Sequence, residues 1–417
     1  MPSKLIFIAF FTGLMLLMDW YVFSGFKVLI QNALPNTQRW LKIGYWSLTG
    51  VNILLLLLFH TLAPNSYWGL RITIMTFLFG QYFGKIVWIV FLFLDDIIRF
   101  FRWVVSKFEA SKAESAGKGI SRSEFLVKTG MLAGTGIITA LTWGIVSGAY
   151  DYRVKRRTIF LKKLPAAFDG FKIVQISDIH SGSFWNTEAV MKGVKMVNDQ
   201  KADVVFFTGD LVNNVADEMA PYMDVFNKIK APHGVFSVFG NHDYGDYIGW
   251  PNPEAKIQNL ENLKQVHKDL GWRLLINEHE RITLGNDSIG VLGIENWGNK
   301  GRFPKYGKME EAVRGTEDLP VKLLLSHDPS HWRGQVLPEY PDIDIMFSGH
   351  THGMQFGVEI GNVRWSPIKY MYKEWADLHT EGEQHLYVNR GFGFLGYPGR
   401  FGILPEITVI ELKQGSA

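Results

Sequence analysis

Cysteine is absent from this 417-residue chain. That removes every disulfide, every thiolate metal ligand and any cysteine nucleophile. It leaves the compartment open, since proteins on either side of a membrane do without cysteine. Net charge is also scarce: 43 Lys and Arg against 40 Asp and Glu leave +3. So small a surplus argues against a nucleic-acid partner. Internal repeats and low-complexity tracts are missing. With 47% hydrophobic and 20% charged residues, the chain is neither disordered nor collagenous. A third shortage is local. Residues 1–94 contain only Lys4, Asp19, Lys27, Arg39, Lys42, Arg71 and Lys85 as ionisable Lys, Arg, Asp or Glu. Such a stretch cannot form the surface of a soluble domain.

What fills residues 1–94 is apolar. Runs at about 5–30, 43–63 and 69–94 each exceed the roughly 20 residues a helix needs to cross the hydrocarbon core. A fourth run, Met131 to Ala149, is rich in Gly, Ala and Thr, which suit close helix packing in lipid. The first run is too long for a signal peptide, contains Asp19 and lacks a small-residue cleavage site. The segment SRSEFLVK from Ser121 has one Arg where a twin-arginine export signal needs two. Asp19 and Lys85 lie inside apolar runs. They read either as an ion pair or headgroup contact within a bundle, or as groups near an interface of shorter spans.

The positive-inside rule gives an orientation. The 95–130 linker carries Arg99, Arg102, Lys107, Lys112, Lys118, Arg122 and Lys128, and the 31–42 loop carries Arg39 and Lys42. The 64–68 loop has no positive charge. Placing 95–130 in the cytoplasm puts residues after 150 outside it. Arg153, Lys155, Arg156, Arg157, Lys162 and Lys163 argue the other way. The expectation is a multi-pass membrane protein with an extracytoplasmic C-terminal domain.

The texture changes after residue 150. The reading is a 1–150 transmembrane helical domain followed by a 151–417 domain, whose roughly 265 residues suffice for one large core. Strands are expected at Phe171–Ile176, Val204–Thr208, Gly234–Phe239, Arg273–Ile276, Ser288–Leu292, Val321–Ser326, Ile343–Ser348, Gln384–Val388 and Ile407–Glu411. Helices are expected at Glu188–Asp199, Glu218–Lys228 and Asn259–Leu270. The order predicts an α/β layered sandwich of two mixed β-sheets flanked by helices.

Five of these strands end in metal-type ligands. They lead into Asp178-Ile179-His180, Gly209-Asp210, Gly240-Asn241-His242-Asp243, His327-Asp328 and Gly349-His350-Thr351-His352. Binding sites of α/β sheets form beyond the carboxyl ends of strands, so these five ends should converge. Oxygen and imidazole ligands without thiolate suit two divalent ions, Mn, Fe or Zn. A pair of such ions lowers the pKa of a water and clamps the oxygens of an in-line displacement.

In this order the motifs resemble those of the calcineurin-like metallophosphoesterases: D-x-H, G-D, G-N-H-D/E, H and G-H-x-H. The resemblance covers about residues 158–412. The lead-in from Leu164-Pro165 to Phe168-Asp169-Gly170 is similar to the membrane-anchored phosphodiesterase branch. It implies that Asp178, His180 and His352 hold one metal, that Asp210 bridges both, and that Asn241, His327 and His350 complete the second, with Mn favoured. It implies that His242 is catalytic, protonating the leaving-group oxygen. His60, His233, His267, His279, His331, His379 and His385 lack the strand-end setting and read as structural.

One departure stands out. The family usually places a second Asp three residues after the bridging one, where it orients the catalytic His; here that residue is Asn213. The Asn213 amide is expected to accept from the imidazole, adding no charge, with Asp243 as the alternative orienting group. Basic and aromatic loops at Asn299–Lys308, Trp365–Trp375 and Arg390–Phe401 are expected to meet a phosphate or the bilayer. Arg390 is the expected substrate contact. The resemblance implies a phosphodiester or pyrophosphate substrate, lipid-linked or membrane-proximal. Alternatives are UDP-2,3-diacylglucosamine hydrolysis in lipid A synthesis, whose cytoplasmic substrate conflicts with the orientation above, and a membrane sensor or scaffold with a regulatory phosphoesterase domain. Oligomeric state is not legible.

Overall fold

The computed structural model describes residues 2–62, 68–108, 122–301, 303, 305–361 and 363–416. Residues 64–67 of the short loop, Lys112 and Lys118 of the linker, and Arg302 of the basic loop lie outside them. The chain divides into two compact units, residues 1–143 and 144–417.

The first unit is helical. Helices α1 (Pro2–Leu29), α2 (Pro35–Thr61), α3 (Trp68–Phe108) and α4 (Glu124–Val146) take up the four apolar runs. All four are long and apolar enough to cross a membrane. Helix α3 runs well past its apolar segment into what the sequence presents as linker. Asp95 and Asp96 do not stop it because both have partners. Asp95 accepts from the Ser123 amide at 3.0 Å, and Arg122 lies 3.0 Å from Asp96.

Two devices hold this unit together. A methyl group at Gly134 would lie 2.6 Å from the carbonyl oxygen of Gly84, so α3 and α4 meet backbone to backbone. Asp19 is fully buried and pairs with Lys85 at 2.5 Å. Its carboxylate also accepts from Tyr82 at 2.8 Å and Tyr45 at 3.1 Å. Of the two readings of Asp19 and Lys85, the structure has the ion pair. Away from water the pair and its hydroxyl donors supply the partners that lipid cannot.

The second unit is a two-sheet sandwich. Its strands are β1 (Arg153–Leu161), β2 (Lys172–Ile176), β3 (Val204–Phe207), β4 (Val235–Ser237), β5 (Arg273–Leu274), β6 (Glu278–Leu284) and β7 (Asp287–Gly293). They continue as β8 (Lys322–Leu325), β9 (Ile345–Ser348), β10 (Val358–Ile360), β11 (Val363–Trp365), β12 (Asp377–Glu381), β13 (Gln384–Val388) and β14 (Glu406–Gln414). One sheet runs β1-β14-β2-β3-β4-β5 and the other β12-β13-β9-β8-β7-β6; β10 and β11 pair only with each other. Pairs β2–β3, β3–β4 and β8–β9 are parallel. Their carboxyl ends therefore open on one side of each sheet.

Alternation places the core. Ile173, Phe206, Val238, Leu323, Phe347 and Tyr387 fill the space between the sheets. Val174, Val205 and Phe207 point the other way, toward α5 (Thr187–Asn198) and α7 (Pro253–Leu270). These short strands are buried on both faces, so they read as continuous apolar runs.

Two helices differ from expectation. Glu218–Lys228 becomes a 3₁₀ segment, Ala216–Tyr222, and one turn of helix, α6 (Met223–Phe226). Pro221 has no amide proton to continue an α-helix through that point. Helix α7 starts at Pro253 rather than Asn259, because the Asn252 side chain caps it by accepting from Ala255 N at 2.8 Å.

Candidate metal centre

The ligand-bearing segments leave β2, β3, β4, β8 and β9 at the strand ends. Five of the residues there have left-handed backbone: Asp178 (φ 51°), His180 (48°), Asp210 (61°), His350 (72°) and His352 (51°). For non-glycine residues this costs on the order of 1 kcal/mol each, and such strain persists where the surroundings enforce it. The turn out of the strand aims each side chain into a common cleft. Gly349 is required by close approach: a Cβ there would overlap Ser177 Oγ and Asp178 Oδ2.

The side chains converge. Ligand atoms of Asp178, His180 and His352 lie within 4.8 Å of one another, as do those of Asp178, Asp210 and His327. His180 Nε2 and His352 Nε2 are 3.0 Å apart, and Asp178 Oδ1 is 3.2 Å from the latter. Asp210 Oδ2 stands between His180 (3.5 Å) and His327 (3.2 Å). Asn241 Oδ1 is 2.8 Å from His350 Nδ1. All seven residues that the resemblance names as ligands are thus brought together.

The donor set fits divalent ions. His327 Nδ1 donates to the Thr208 carbonyl at 2.7 Å, which orients the ring and turns the buried Nε2 toward Asp210 Oδ2. A metal ion would take the place of the proton on that Nε2. His350 is oriented similarly by Tyr372, whose hydroxyl is 2.9 Å from Nε2. Tyr372 was missed in the sequence because it lies on no strand end. Two ions here would be held by Asp178, His180, Asp210 and His352 on one side, and by Asp210, Asn241, His327 and His350 on the other.

Electrostatics match. Burial disfavours a charged imidazole at His327, yet the Asp210 and Asp178 carboxylates outweigh it and push the ring up to about 10. Asp243 moves the opposite way from a usual carboxylate, pushed up to about 7 by burial and by Asp210.

His242 is placed differently from the expectation. Its backbone amide donates to Asp210 Oδ1 at 2.8 Å and its side chain lines the pocket. Its Nδ1 is 2.8 Å from the Asn213 carbonyl oxygen, not the side-chain amide. The Asn213 side chain turns away to Ser183 Oγ, 3.0 Å from Nδ2. Asp243 does not orient His242 either. Its carboxylate gathers the backbone amides of Asp210, Leu211, Val212 and Gly240 at 2.8–3.3 Å.

Arg390 is a second correction. It is 1% exposed and sits apart from the ligands, paired with Glu406 and, at 3.2 Å, with Glu359. Carboxylates engage both terminal nitrogens, and Arg390 lines a cavity with Lys155 and Glu359 rather than the one over the ligands, so it is not the phosphate contact expected of it. The arginine beside the ligands is Arg400, 3.1 Å from His352 Nδ1 and donating to the Gly393 carbonyl. Of the histidines read as structural, His267 and His331 are buried against Ser237 and Ser326. Burial holds them down to about 3 and about 4.

A cavity of about 290 Å³ opens above the ligands. His180, Asp210, Asn241, His242, His350 and His352 line its floor; Tyr247, Phe303, Ile368, Met371, Tyr372 and Leu395 line its rim.

Known proteins share this plan. Residues 3–149 match the family model described as "Probable Calcineurin-like phosphoesterase, transmembrane domain", and residues 171–354 that described as "Calcineurin-like phosphoesterase". The uncharacterized metallophosphoesterase YkuE of Bacillus subtilis is 29% identical over 314 residues, covering 71% of this chain and 99% of its own. The transmembrane protein with metallophosphoesterase domain of Danio rerio is 30% identical over 314 residues, 73% of this chain and 67% of its own. Phosphodiesterase YaeI of Escherichia coli is 27% identical over 264 residues, 62% of this chain and 87% of its own.

His327 carries a proton at neutral pH in the metal-free protein, because its value is raised to about 10. A metal must displace that proton, so affinity should rise with pH by about tenfold per unit below that value. Calorimetric titration of the apoprotein with Mn²⁺ in buffers of different ionisation enthalpy should register proton release. Affinity independent of pH from 6 to 9 would contradict this account of His327.

Proposed function

Because the chain belongs to the calcineurin-like phosphoesterases, we propose that it is a membrane-held phosphodiesterase whose substrate carries an apolar or lipid portion. The observation that carries this reading is the apolar rim above the metal ligands. A cavity of about 290 Å³ is at the small end for ligand sites and takes a phosphoester head, not a lipid tail. A tail would lie beyond the rim, where Ile368 and Met371 continue through Ser366 into the β10–β11 hairpin. There Ile360 (74% exposed), Val363 (66%) and Tyr370 (76%) stand free of the core, beside Lys369 and Lys373. Apolar side chains flanked by lysines suit a headgroup–acyl boundary.

Two divalent ions bound here, with Mn favoured, would supply Lewis acidity toward the phosphoryl oxygens and an acidified water. The chain's own groups position and protonate. The Asn213 carbonyl can only accept, so His242 donates through Nδ1 and directs Nε2 into the cleft. A proton on Nε2 serves the departing alcohol oxygen. The Tyr247 ring packs against the imidazole at 4.5 Å and limits its rotation.

We place the catalytic unit outside the cytoplasm on the positive-inside count. The cations after residue 150 that oppose it are in part neutralised by the folded unit. Arg153 pairs with Asp151, Lys155 with Glu359 and Arg157 with Asp377.

Full-length protein should hydrolyse a bis-aryl phosphate in detergent and a lipid phosphodiester in vesicles. Ile360→Asp combined with Val363→Asp should lower the vesicle rate about tenfold or more and leave the soluble rate within twofold. Equal loss on both substrates would count against a lipid-bearing substrate.

The native absence of cysteine gives a clean test of sidedness. Ile257, 62% exposed on α7, can be changed to Cys and treated with a membrane-impermeant maleimide on intact cells. Labelling is expected without lysis. Labelling seen only after lysis would put the catalytic unit in the cytoplasm.

A further inference from the structure

His242 lacks the carboxylate partner that the family resemblance puts at position 213, yet a carboxylate stands one peptide unit behind it. The His242 Nδ1–H donates to the Asn213 carbonyl oxygen at 2.8 Å. The N–H of the same peptide unit belongs to Asn214, and it donates to Glu218 Oε1 at 3.1 Å. Glu218 Oε1 also accepts from Val215 N at 3.3 Å, and Oε2 accepts from Asn213 N at 2.5 Å. Three amides thus converge on one half-buried carboxylate.

We propose that Glu218 is a positioning residue for His242, acting as its negative partner through the Asn213–Asn214 peptide group. The chain of bonds runs carboxylate, Asn214 N–H, Asn213 C=O, His242 Nδ1–H. Hydrogen bonds in series polarise one another, the more so away from water. A carboxylate drawing on the Asn214 N–H makes the Asn213 oxygen a stronger acceptor. That oxygen then holds the imidazole in one tautomer and one orientation and steadies it when Nε2 bears a proton. Burial pushes the Glu218 carboxyl up from its usual value, and the three amide donors oppose that shift by favouring the charged form. The charge left out at Asn213 is returned at Glu218, five positions on and on the far side of the backbone.

This inference rests on the reading of His242 as proton donor to the leaving oxygen. Its test uses a property that a merely structural glutamate would not affect. Nitrophenolate leaves without help, whereas an unsubstituted phenol needs its proton. Full-length protein loaded with Mn²⁺ is assayed with bis-aryl phosphates whose leaving groups run from 4-nitrophenol to phenol. Glu218→Gln should lower kcat about tenfold for phenol and less than threefold for 4-nitrophenol, with KM and bound metal unchanged. In a His242→Ala background the same change should add less than twofold, because the two act as one unit.

Glu218→Asp keeps the charge at shorter reach. It should show the same steepened leaving-group dependence at smaller size, and it answers the question if Glu218→Gln does not fold. A loss equal across all leaving groups, or a loss of metal, would overturn the proposal and leave Glu218 as a loop anchor. His242→Ala with no leaving-group dependence of its own would instead remove the donor reading beneath it. Absence of hydrolysis by the unaltered protein would remove the phosphodiester reading.

Discussion

Asp210 is the constraint on which the catalytic unit turns. One of its oxygens lies between His180 and His327, and the other accepts the His242 amide. A single carboxylate at the end of β3 therefore ties together both ligand groups and the backbone of His242. The rest of the sandwich is organised to hold it there. Asp210 takes a left-handed backbone, and Asp243, at the end of the next strand, clamps the amides of Asp210, Leu211 and Val212. Burial and the neighbouring Asp210 carboxylate raise Asp243 to about 7, and Asp178 and Asp210 repel one another. A polar cleft closed on such charges is stable as a cation site and poorly explained as anything else.

The strand-end logic made most of this site legible in advance. Each ligand follows a short apolar run, and parallel strands deliver their carboxyl ends to one side. The sequence was less informative where backbone atoms do the work. Asn213 was expected to act through its amide, but its carbonyl holds His242, and residue identity does not record a carbonyl. Arg390 was misplaced for a related reason. Its partners Glu359 and Glu406 lie on the hairpin and on β14, distant in sequence, so an arginine beside a glycine turn looked free. Strand β1 was hidden by its charges. Lys155 and Arg157 share the face of Ile159 and Leu161, and pairing with Glu359 and Asp377 lets those cations lie on the core side of an edge strand.

The membrane unit shows the same division. Length and hydropathy located four helices, but α3 continued beyond the apolar stretch because Asp95 and Asp96 found partners in the segment around Arg122. Helix packing there depends on what is left out as much as on what is present. Gly84 and Gly134 let two backbones meet, and Asp19 gathers Lys85, Tyr82 and Tyr45 where lipid offers no partners. The aromatic excess of the chain, 14%, divides between these spans and the core of the catalytic unit, where Phe206, Phe207, Phe226, Phe239, Phe347 and Trp332 are buried.

The claim that Asp210 is shared by two metal ions is tested most directly by anomalous X-ray scattering from crystals of the full-length protein soaked in Mn²⁺. Two peaks a few ångströms apart are predicted, both within ligand distance of Asp210, with Asp178, His180 and His352 around one and Asn241, His327 and His350 around the other. A single peak, or two peaks of which only one touches Asp210, would contradict the account.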